Sequence, residues 1–85
     1  MSLEIDLSGR SVLITGGTKG VGRGIAQRFA DAGATVIVCA RREAENPLPS
    51  DWHFISADLR DGDAAYGAVD AAFTIAGRLD CVVNN

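Results

Sequence analysis

A glycine-rich turn between an apolar run and an amphipathic segment limits the folds open to this chain. The run SVLIT at residues 11–15 is typical of a strand buried on both faces, and the turn GGTKG follows at residues 16–20. After the turn, apolar residues recur at helical spacing, at Val21, Ile25, Phe29 and Ala32. Glycine lets a strand turn sharply into a helix and lets the backbone approach a ligand closely. The pattern therefore predicts strand, turn and helix, with free N–H groups at the helix start that can hold a phosphate.

Three more strands and a second helix are predicted downstream. The strands are Thr35–Ala40, Trp52–Ser56 and Leu79–Val83, and the alanine-rich helix is Asp61–Gly77. The apolar side of that helix carries Ala65, Ala68, Val69, Ala72, Phe73 and Ala76. Two prolines disfavour a helix in the loop at residues 41–51. The order β-α-β-β-α-β predicts an α/β fold, the first portion of a Rossmann-type doubly wound parallel sheet with strand order 3-2-1-4. The fourth strand would then be an open apolar edge.

Length and composition indicate a globular chain shorter than a usual domain. The chain has 85 residues, of which 47% are hydrophobic and 22% charged, and its net charge of −3 argues against nucleic-acid binding. The stretch Met1–Leu7 lacks basic targeting residues, and no apolar run approaches the roughly 18 residues of a membrane helix. A cytoplasmic protein without membrane contact is therefore expected. Cys39 and Cys81 lie in apolar runs without metal-ligand spacing, so we expect buried reduced thiols and no metal site.

The glycines of the turn are spaced G-x-x-x-G-x-G, at Gly16, Gly20 and Gly22. This spacing differs from the G-x-G-x-x-G dinucleotide fingerprint, and it is not a P-loop because no Gly-Lys-Ser/Thr follows. A glycine cluster can also be a purely structural turn. Here it follows a buried strand and opens an amphipathic helix, which is the context of a ligand-binding turn. We therefore predict that the turn binds a ligand.

Three motifs together resemble the classical short-chain dehydrogenase/reductase family. TGxxxGxG at residues 15–22 resembles the glycine signature of that family. Asp58-Leu59 resembles its Asp-Val/Leu pair at the adenine, and Asn84-Asn85 resembles the start of its N-N-A-G motif. The epimerase-like branch spaces its glycines T-G-x-x-G-x-x-G, and Lys19 stands where that spacing needs glycine. The resemblance implies that residues 1–85 are one partial NAD(P)-binding Rossmann domain, without the catalytic part.

The resemblance also implies a role for each matching residue. The cofactor-binding residues at the turn would be Gly16, Thr18, Lys19, Gly20, Val21 and Gly22. Asp58 would accept a hydrogen bond from the adenine amino group, with the Leu59 N–H beside it. Asn85 would contact the adenosine through its backbone, and Asn84 would brace the central strand. The alternatives are that Asp58 is a helix-side cap and that Asn84-Asn85 is a frayed end.

The end of the second strand bears on the choice between NAD and NADP. A carboxylate there binds the ribose hydroxyls of NAD, whereas a nearby arginine accepts the 2′-phosphate of NADP. The strand is followed by Arg41 and Arg42, whose planar guanidinium groups suit phosphate, and Lys19 can add a further cation. NADP is therefore the expected cofactor. The alternatives are that both arginines are solvated surface charges, or that Glu43 or Glu45 neutralises them or reaches the ribose.

No catalytic residue can be assigned within these 85 residues. Hydride exchange between an alcohol and a carbonyl needs a proton donor or acceptor at the reacting oxygen, and the family uses a serine and a Tyr-x-x-x-Lys pair. Tyr66 is the only tyrosine, Asp70 stands where the lysine would, and His53 has no acid or metal partner in the sequence. We expect an NADP(H)-dependent oxidoreductase of a small alcohol or carbonyl whose 85-residue chain alone is inactive, and the resemblance implies a homo-oligomer. The alternatives are a non-catalytic dinucleotide-binding module and an inactive truncated product.

Overall fold

The computed structural model describes residues 5–85, which form two helices and four strands. The elements are β1 Ser11–Thr15, α1 Gly20–Asp31, β2 Thr35–Ala40, β3 His53–Ser56, α2 Gly62–Ala76 and β4 Cys81–Val83. The predicted order of elements is confirmed, and the loop at residues 41–51 contains no helix. Residues 1–4, part of the Met1–Leu7 stretch considered above for targeting, lie outside the described residues. Neither helix of residues 5–85 is long and apolar enough to cross a membrane.

The four strands form one parallel sheet in the order β3-β2-β1-β4, as predicted. In its centre Leu13 of β1 pairs with Ile37 of β2 on one side and with Val82 of β4 on the other. β3 pairs with β2 alone, from His53 opposite Ile37 to Ser56 opposite Ala40. Because all strands run in the same direction, their carboxyl ends meet at one edge of the sheet, where ligands bind in open α/β folds.

The core lies on both faces of the two central strands. One face packs Val12, Ile14, Val36 and Val38 against Ala26 of α1 and against Trp52. The other face packs Leu13, Ile37 and Cys39 against Ala68 and Ala72 of α2. One helix therefore covers each face, and the continuous apolar runs of β1 and β2 follow from burial on both sides.

The face of α1 that meets the sheet differs from the prediction at Val21. This side chain is 75% exposed, whereas the buried residues of α1 are Gly22 and Ala26. Ile25 and Phe29 are half-buried and pack at the margin of the core. Small residues bring the helix backbone close to the sheet, and Val21 lies about 100° round the helix from Gly22, so it faces solvent.

Two predicted core residues of α2 are also exposed. Ala68 and Ala72 contact the sheet as expected, but Val69 and Phe73 are 42% and 56% exposed. The reason is again geometric, because each follows a buried alanine by one residue and is turned away from the line of contact.

The two cysteines have different environments. Cys39 of β2 is buried, as expected, and its burial raises the pKa of the thiol. The prediction was wrong for Cys81, which is exposed. β4 pairs with β1 along one side only, so its apolar sequence does not bring burial.

Candidate functional site

A cleft of about 650 Å³ opens at the carboxyl ends of β1 and β2, between the glycine-rich turn and the loop after β2. The predicted site residues in its lining are Gly16, Thr18, Lys19, Gly20, Arg41 and Arg42. The rest of the lining comprises Arg23, Ala40, Glu43, Ala44, Glu45 and Asn46. Four of these side chains are basic and two are acidic, although the whole chain carries a net charge of −3. This local excess of positive charge favours an anionic ligand.

The turn adopts a backbone conformation that requires glycine at two positions. Gly16 has φ of +67° and Gly20 has φ of +59°, which side chains with a Cβ rarely adopt. Gly16 lies in the turn itself and donates its N–H to the Cys39 carbonyl at 2.8 Å, which ties the turn to β2. Gly20 is the first residue of α1, and a Cβ on it would meet no atom within 4 Å. The backbone at Gly20 is therefore open to a ligand in the cleft.

The start of α1 lacks a side-chain cap, in contrast with the start of α2. Lys19 is the N-cap residue of α1 and makes no capping hydrogen bond, and the first turn contains no acidic residue. In α2, Asp61 caps the helix by accepting a hydrogen bond from the Asp63 N–H, and Asp63 places a carboxylate in the first turn. Uncapped N–H groups and the helix dipole attract anions. The start of α1, which lies at the cleft, can therefore bind a negatively charged ligand, whereas the start of α2 is already capped.

Gly22 has a packing role in the first turn of α1. A Cβ on this residue would lie 2.2 Å from the Gly16 carbonyl oxygen and 2.6 Å from Asn85 Nδ2. No side chain fits there, so glycine lets α1 approach both the turn and the end of β4. Gly22 and Val21 are not part of the cleft lining, and the Val21 side chain is exposed.

Residues after β4 are tied to the end of β1 through Thr15. The Thr15 hydroxyl accepts a hydrogen bond from the Asn85 N–H at 3.0 Å. The same hydroxyl lies 3.3 Å from the Val83 carbonyl and 3.4 Å from Asn84 Oδ1. The Asn85 side chain in turn donates to the Gly16 carbonyl at 3.5 Å. Asn84 and Asn85 are thus held beside the glycine-rich turn rather than frayed, although neither lines the cleft.

Asp58 follows β3 and is paired with Arg60. Its carboxylate accepts hydrogen bonds from the Arg60 N–H and Nε at 3.0 Å each and from Nη2 at 2.8 Å. These bonds, aided by the charge of Arg41, lower the pKa of Asp58 to about 2. The alternative of a helix-side cap does not hold, because Asp61 caps α2. Asp58 and the adjacent, 36% exposed Leu59 lie outside the cleft lining.

Arg23 is a residue of the site that the sequence reasoning missed. It lies in the first turn of α1, and its guanidinium group donates to the Asn46 carbonyl at 2.7 Å and to the Pro47 carbonyl at 2.6 Å. A longer bond of 3.4 Å reaches the Thr18 carbonyl. One signal was present in the sequence, because Arg23 lies four residues after Lys19 and so on the same side of the helix.

Other chemically capable residues lie away from the cleft. Tyr66 is 79% exposed on α2, and His53 is exposed at the start of β3. Within residues 5–85, no group of three or more His, Cys, Asp or Glu side chains could hold a metal ion.

The sequence of residues 10–85 matches the profile of the short chain dehydrogenase family. The chain belongs to the short-chain dehydrogenase family. It is 34% identical to L-fucose dehydrogenase of Bos taurus, an alignment that covers 100% of this chain and 33% of that protein. It is 39% identical to the rhamnolipids biosynthesis 3-oxoacyl-[acyl-carrier-protein] reductase of Pseudomonas aeruginosa, covering 93% of this chain and 34% of that protein. The chain therefore spans about a third of the length of the curated relatives it matches.

Solved structures of the family have the same fold. Aldohexose dehydrogenase from Thermoplasma acidophilum, in ligand-free form, matches with a TM-score of 0.81 and 32% identity over 93% of this chain and 30% of that protein. A 3-ketoacyl-(acyl-carrier-protein) reductase from Brucella melitensis, complexed with NADH, matches with a TM-score of 0.78 and 29% identity over 91% of this chain and 34% of that protein. These matches confirm the family resemblance and the Rossmann-type α/β fold.

Proposed function

We propose that residues 1–85 form the cofactor-binding part of a short-chain oxidoreductase that interconverts a small alcohol and its carbonyl, with NADP(H) as the cofactor. The observation that carries this proposal is the uncapped, glycine-rich start of α1 facing a cleft that also holds Lys19, Arg41 and Arg42. An anion-attracting helix start suits a pyrophosphate, and a second group of cations at the end of β2 suits the 2′-phosphate of NADP(H). When bound, the nicotinamide supplies or accepts the hydride.

The residues of the cleft fit such a ligand in shape and charge. Gly20 places no side chain at the start of α1, so a pyrophosphate can approach the N–H groups there. Arg41 and Arg42 are exposed and line the opposite side, where they would bind the 2′-phosphate with help from Lys19. Neither Arg41 nor Arg42 forms a salt bridge within residues 5–85, so no acidic side chain competes there with a phosphate.

The remaining matched residues would serve the adenosine. An ionised carboxylate has about four acceptor positions, and Arg60 uses three of those on Asp58. One position on the 40% exposed Asp58 side chain is left for the adenine amino group, beside the Leu59 N–H. Asn85 would approach the adenosine through its backbone, while Asn84 braces the end of β1.

The proposal leaves the catalytic groups to a part of the protein beyond these residues. Hydride transfer to a carbonyl needs a proton donor, and within residues 1–85 no tyrosine is followed four residues later by lysine. The 85-residue chain alone would then bind cofactor without turning over any alcohol or ketone. The complete enzyme is proposed to be a cytoplasmic homo-oligomer that acts on a small molecule, without nucleic acid or membrane as a partner.

NAD(H) is the second candidate for the cofactor. Glu43 and Glu45 line the cleft close to the two arginines, and a carboxylate in this region can bind the ribose hydroxyls and repel a 2′-phosphate. The relative from Brucella melitensis was solved with NADH.

Binding of the two cofactors to the complete enzyme separates these candidates. Isothermal titration with NADP⁺, NAD⁺ and adenosine 2′,5′-bisphosphate at fixed ionic strength gives three dissociation constants. We expect NADP⁺ to bind about tenfold or more tightly than NAD⁺, because one hydrogen bond to a charged group contributes about 1.5–3 kcal/mol. Tighter binding of NAD⁺ would refute the choice of cofactor. Binding without turnover of any alcohol or ketone would instead indicate a non-catalytic dinucleotide-binding module.

A further inference from the structure

The loop after β2 is tied to α1 by a single side chain. Residues 41–47, here called the arginine loop, carry Arg41 and Arg42. Among residues 5–85, the only hydrogen bonds that reach residues 42–47 come from Arg23, which donates to the carbonyls of Asn46 and Pro47. The ends of the loop are fixed separately, by Ser56 Oγ on the Arg41 carbonyl at 3.1 Å and by packing of Leu48 on the core.

The same guanidinium group reaches the glycine-rich turn. Its Nη1 lies 3.4 Å from the Thr18 carbonyl and 2.7 Å from the Asn46 carbonyl, so one nitrogen bridges the two walls of the cleft. A planar guanidinium with fixed donor directions can hold two neighbouring carbonyls at once, which a lysine cannot do with the same geometry.

We propose that Arg23 is a positioning residue for cofactor choice, which rests on the proposed function. It fixes the arginine loop at a set distance from the glycine-rich turn before any ligand binds. Arg41 and Arg42, which would bind the 2′-phosphate, are thereby held at the right distance from the start of α1, which would bind the pyrophosphate of NADP(H). Such preorganisation raises affinity by reducing the ordering that binding requires. NAD(H) gains less from it, because this cofactor has no 2′-phosphate to meet the loop.

The test compares Arg23→Lys with Arg28→Lys in the complete enzyme. Arg23→Lys keeps the positive charge but cannot form the paired hydrogen bonds to the carbonyls of Asn46 and Pro47. Arg28 lies in the last turn of the same helix, is exposed, and its side chain forms no hydrogen bond with any other described residue, so its substitution is a matched control. Thermal unfolding followed by circular dichroism establishes that both variants are folded.

The first measurement is cleavage of the ligand-free enzyme by a glutamate-specific protease, read by mass spectrometry at Glu43 and Glu45. These are two of the three glutamates in the chain, and both lie in the arginine loop. Cleavage follows the population of the opened loop, so we expect roughly tenfold faster cleavage at both sites in Arg23→Lys and no change in Arg28→Lys. Unchanged cleavage in Arg23→Lys would overturn the proposal.

The second measurement is the ratio of the dissociation constants for NADP⁺ and NAD⁺. In Arg23→Lys we expect NADP⁺ to bind about tenfold more weakly and NAD⁺ to change less than about twofold. Faster cleavage with an unchanged ratio would overturn the role in cofactor choice. Equal weakening of both cofactors with unchanged cleavage would show that Arg23 contacts the nucleotide directly, which also overturns the proposal. A wild-type preference for NAD⁺ refutes the proposed cofactor before any variant is made, while the cleavage experiment still decides whether Arg23 holds the loop.

Discussion

Two glycines in α1 lie two residues apart and have unlike surroundings. A Cβ on Gly22 would overlap the Gly16 carbonyl and the Asn85 side chain, whereas a Cβ on Gly24 would meet no atom within 4 Å. Gly22 is therefore required by packing. At Gly24, glycine only lowers the stability of the helix, because it is the poorest helix former apart from proline.

Replacing each of these glycines by alanine should change stability in opposite directions. Gly22→Ala should lower the free energy of unfolding by about 1–3 kcal/mol, the usual range for an overpacked site. Gly24→Ala should raise it by about 0.4–1 kcal/mol, because alanine has fewer conformations to lose on folding. Urea unfolding of the two variants and the wild type checks both values. If Gly22→Ala unfolds at the wild-type urea concentration, the close approach of α1 to the turn is not a constraint.

Arg41→Asp should move the preference of the complete enzyme from NADP(H) toward NAD(H). The substitution removes a charge-assisted contact to the 2′-phosphate, about 1.5–3 kcal/mol, and places a carboxylate where like charges repel. Arg42 and Lys19 also line the cleft and compensate in part. The ratio of kcat/KM for the two cofactors measures the shift, at fixed ionic strength because exposed charges are screened. An unchanged ratio would identify Arg41 as a solvated surface charge. A wild-type enzyme that already prefers NAD(H) would contradict the role of both arginines and indicate that Glu43 or Glu45 binds the ribose.

At the level of whole elements, the pattern of apolar residues predicted each helix and strand, with the bounds of α2 and of the strands within two residues of those in the structure. Asp61 and Gly77 flank α2 as its N-cap and its left-handed C-cap, with φ of +74° at the glycine. Both signals act within one helical turn, so they can be read without knowing the rest of the fold. The strand order was also predicted, because it is the usual order of the doubly wound sheet that the sequence of elements indicated.

Contacts between elements could not be predicted in the same way. The exposure of Phe73 depends on which side of α2 meets the sheet, and the small alanines of that helix decide it. The exposure of Cys81 depends on the position of β4 at the edge of the sheet. The Arg23 bonds to Asn46 and Pro47 join residues more than twenty positions apart. No local pattern in the sequence encodes such a contact, because it exists only after the sheet has formed.

Removal of the α2 cap should cost stability without affecting the cleft. Asp61→Ala leaves the Asp63 N–H without its acceptor, so we expect the free energy of unfolding to fall by about 1 kcal/mol. Asp70→Ala is the matched control, since Asp70 is an exposed acid in the middle of the same helix. Urea unfolding compares the two variants, and cofactor binding should remain at the wild-type level in both. Equal stability of the two variants would show that the cap contributes nothing beyond its charge.

At the scale of the whole molecule, the cleft lies at the carboxyl edge of the sheet, and a cluster of charged side chains around Asp80 lies at the opposite edge. Asp80, just before β4, accepts hydrogen bonds from Arg78 Nε and from the Ser11 N–H, both at 2.9 Å, and from Arg10 Nη1 at 3.3 Å. It thereby joins the start of β1 to the start of β4, and its side chain is only 18% exposed. The bond from Arg78, followed by that from Ser11, lowers the pKa of Asp80 to about 2.

Asp80 should therefore make the stability of the fold depend on pH in the acid range. The pKa of an aspartate in the unfolded chain is about 3.9, so the folded state favours the charged form and gains stability above that pH. This gain should be lost as the pH falls from about 4 toward 2. Asp80→Asn should accordingly lower the Tm at pH 7, and its difference from the wild type should shrink across that interval.

Asp58→Asn is the control for Asp80→Asn, because Asp58 forms a local ion pair whereas Asp80 joins two strands. The pKa of Asp58 is also lowered to about 2, but its partner Arg60 is two residues away, and the two side chains are 40% and 77% exposed. An exposed pair this close in sequence can form in the unfolded chain as well, so it adds little to the difference between the two states. The same holds for Arg78, which is two residues from Asp80. The contribution of Asp80 to stability therefore comes from its bonds to Ser11 and Arg10. We expect the Tm of Asp58→Asn to follow that of the wild type at every pH, whereas Asp80→Asn departs from it above pH 4. Thermal unfolding followed by circular dichroism from pH 7 to pH 2 measures the Tm of both variants. If both variants lower the Tm at pH 7 by the same amount, the long-range contact of Asp80 with Ser11 does not contribute to stability.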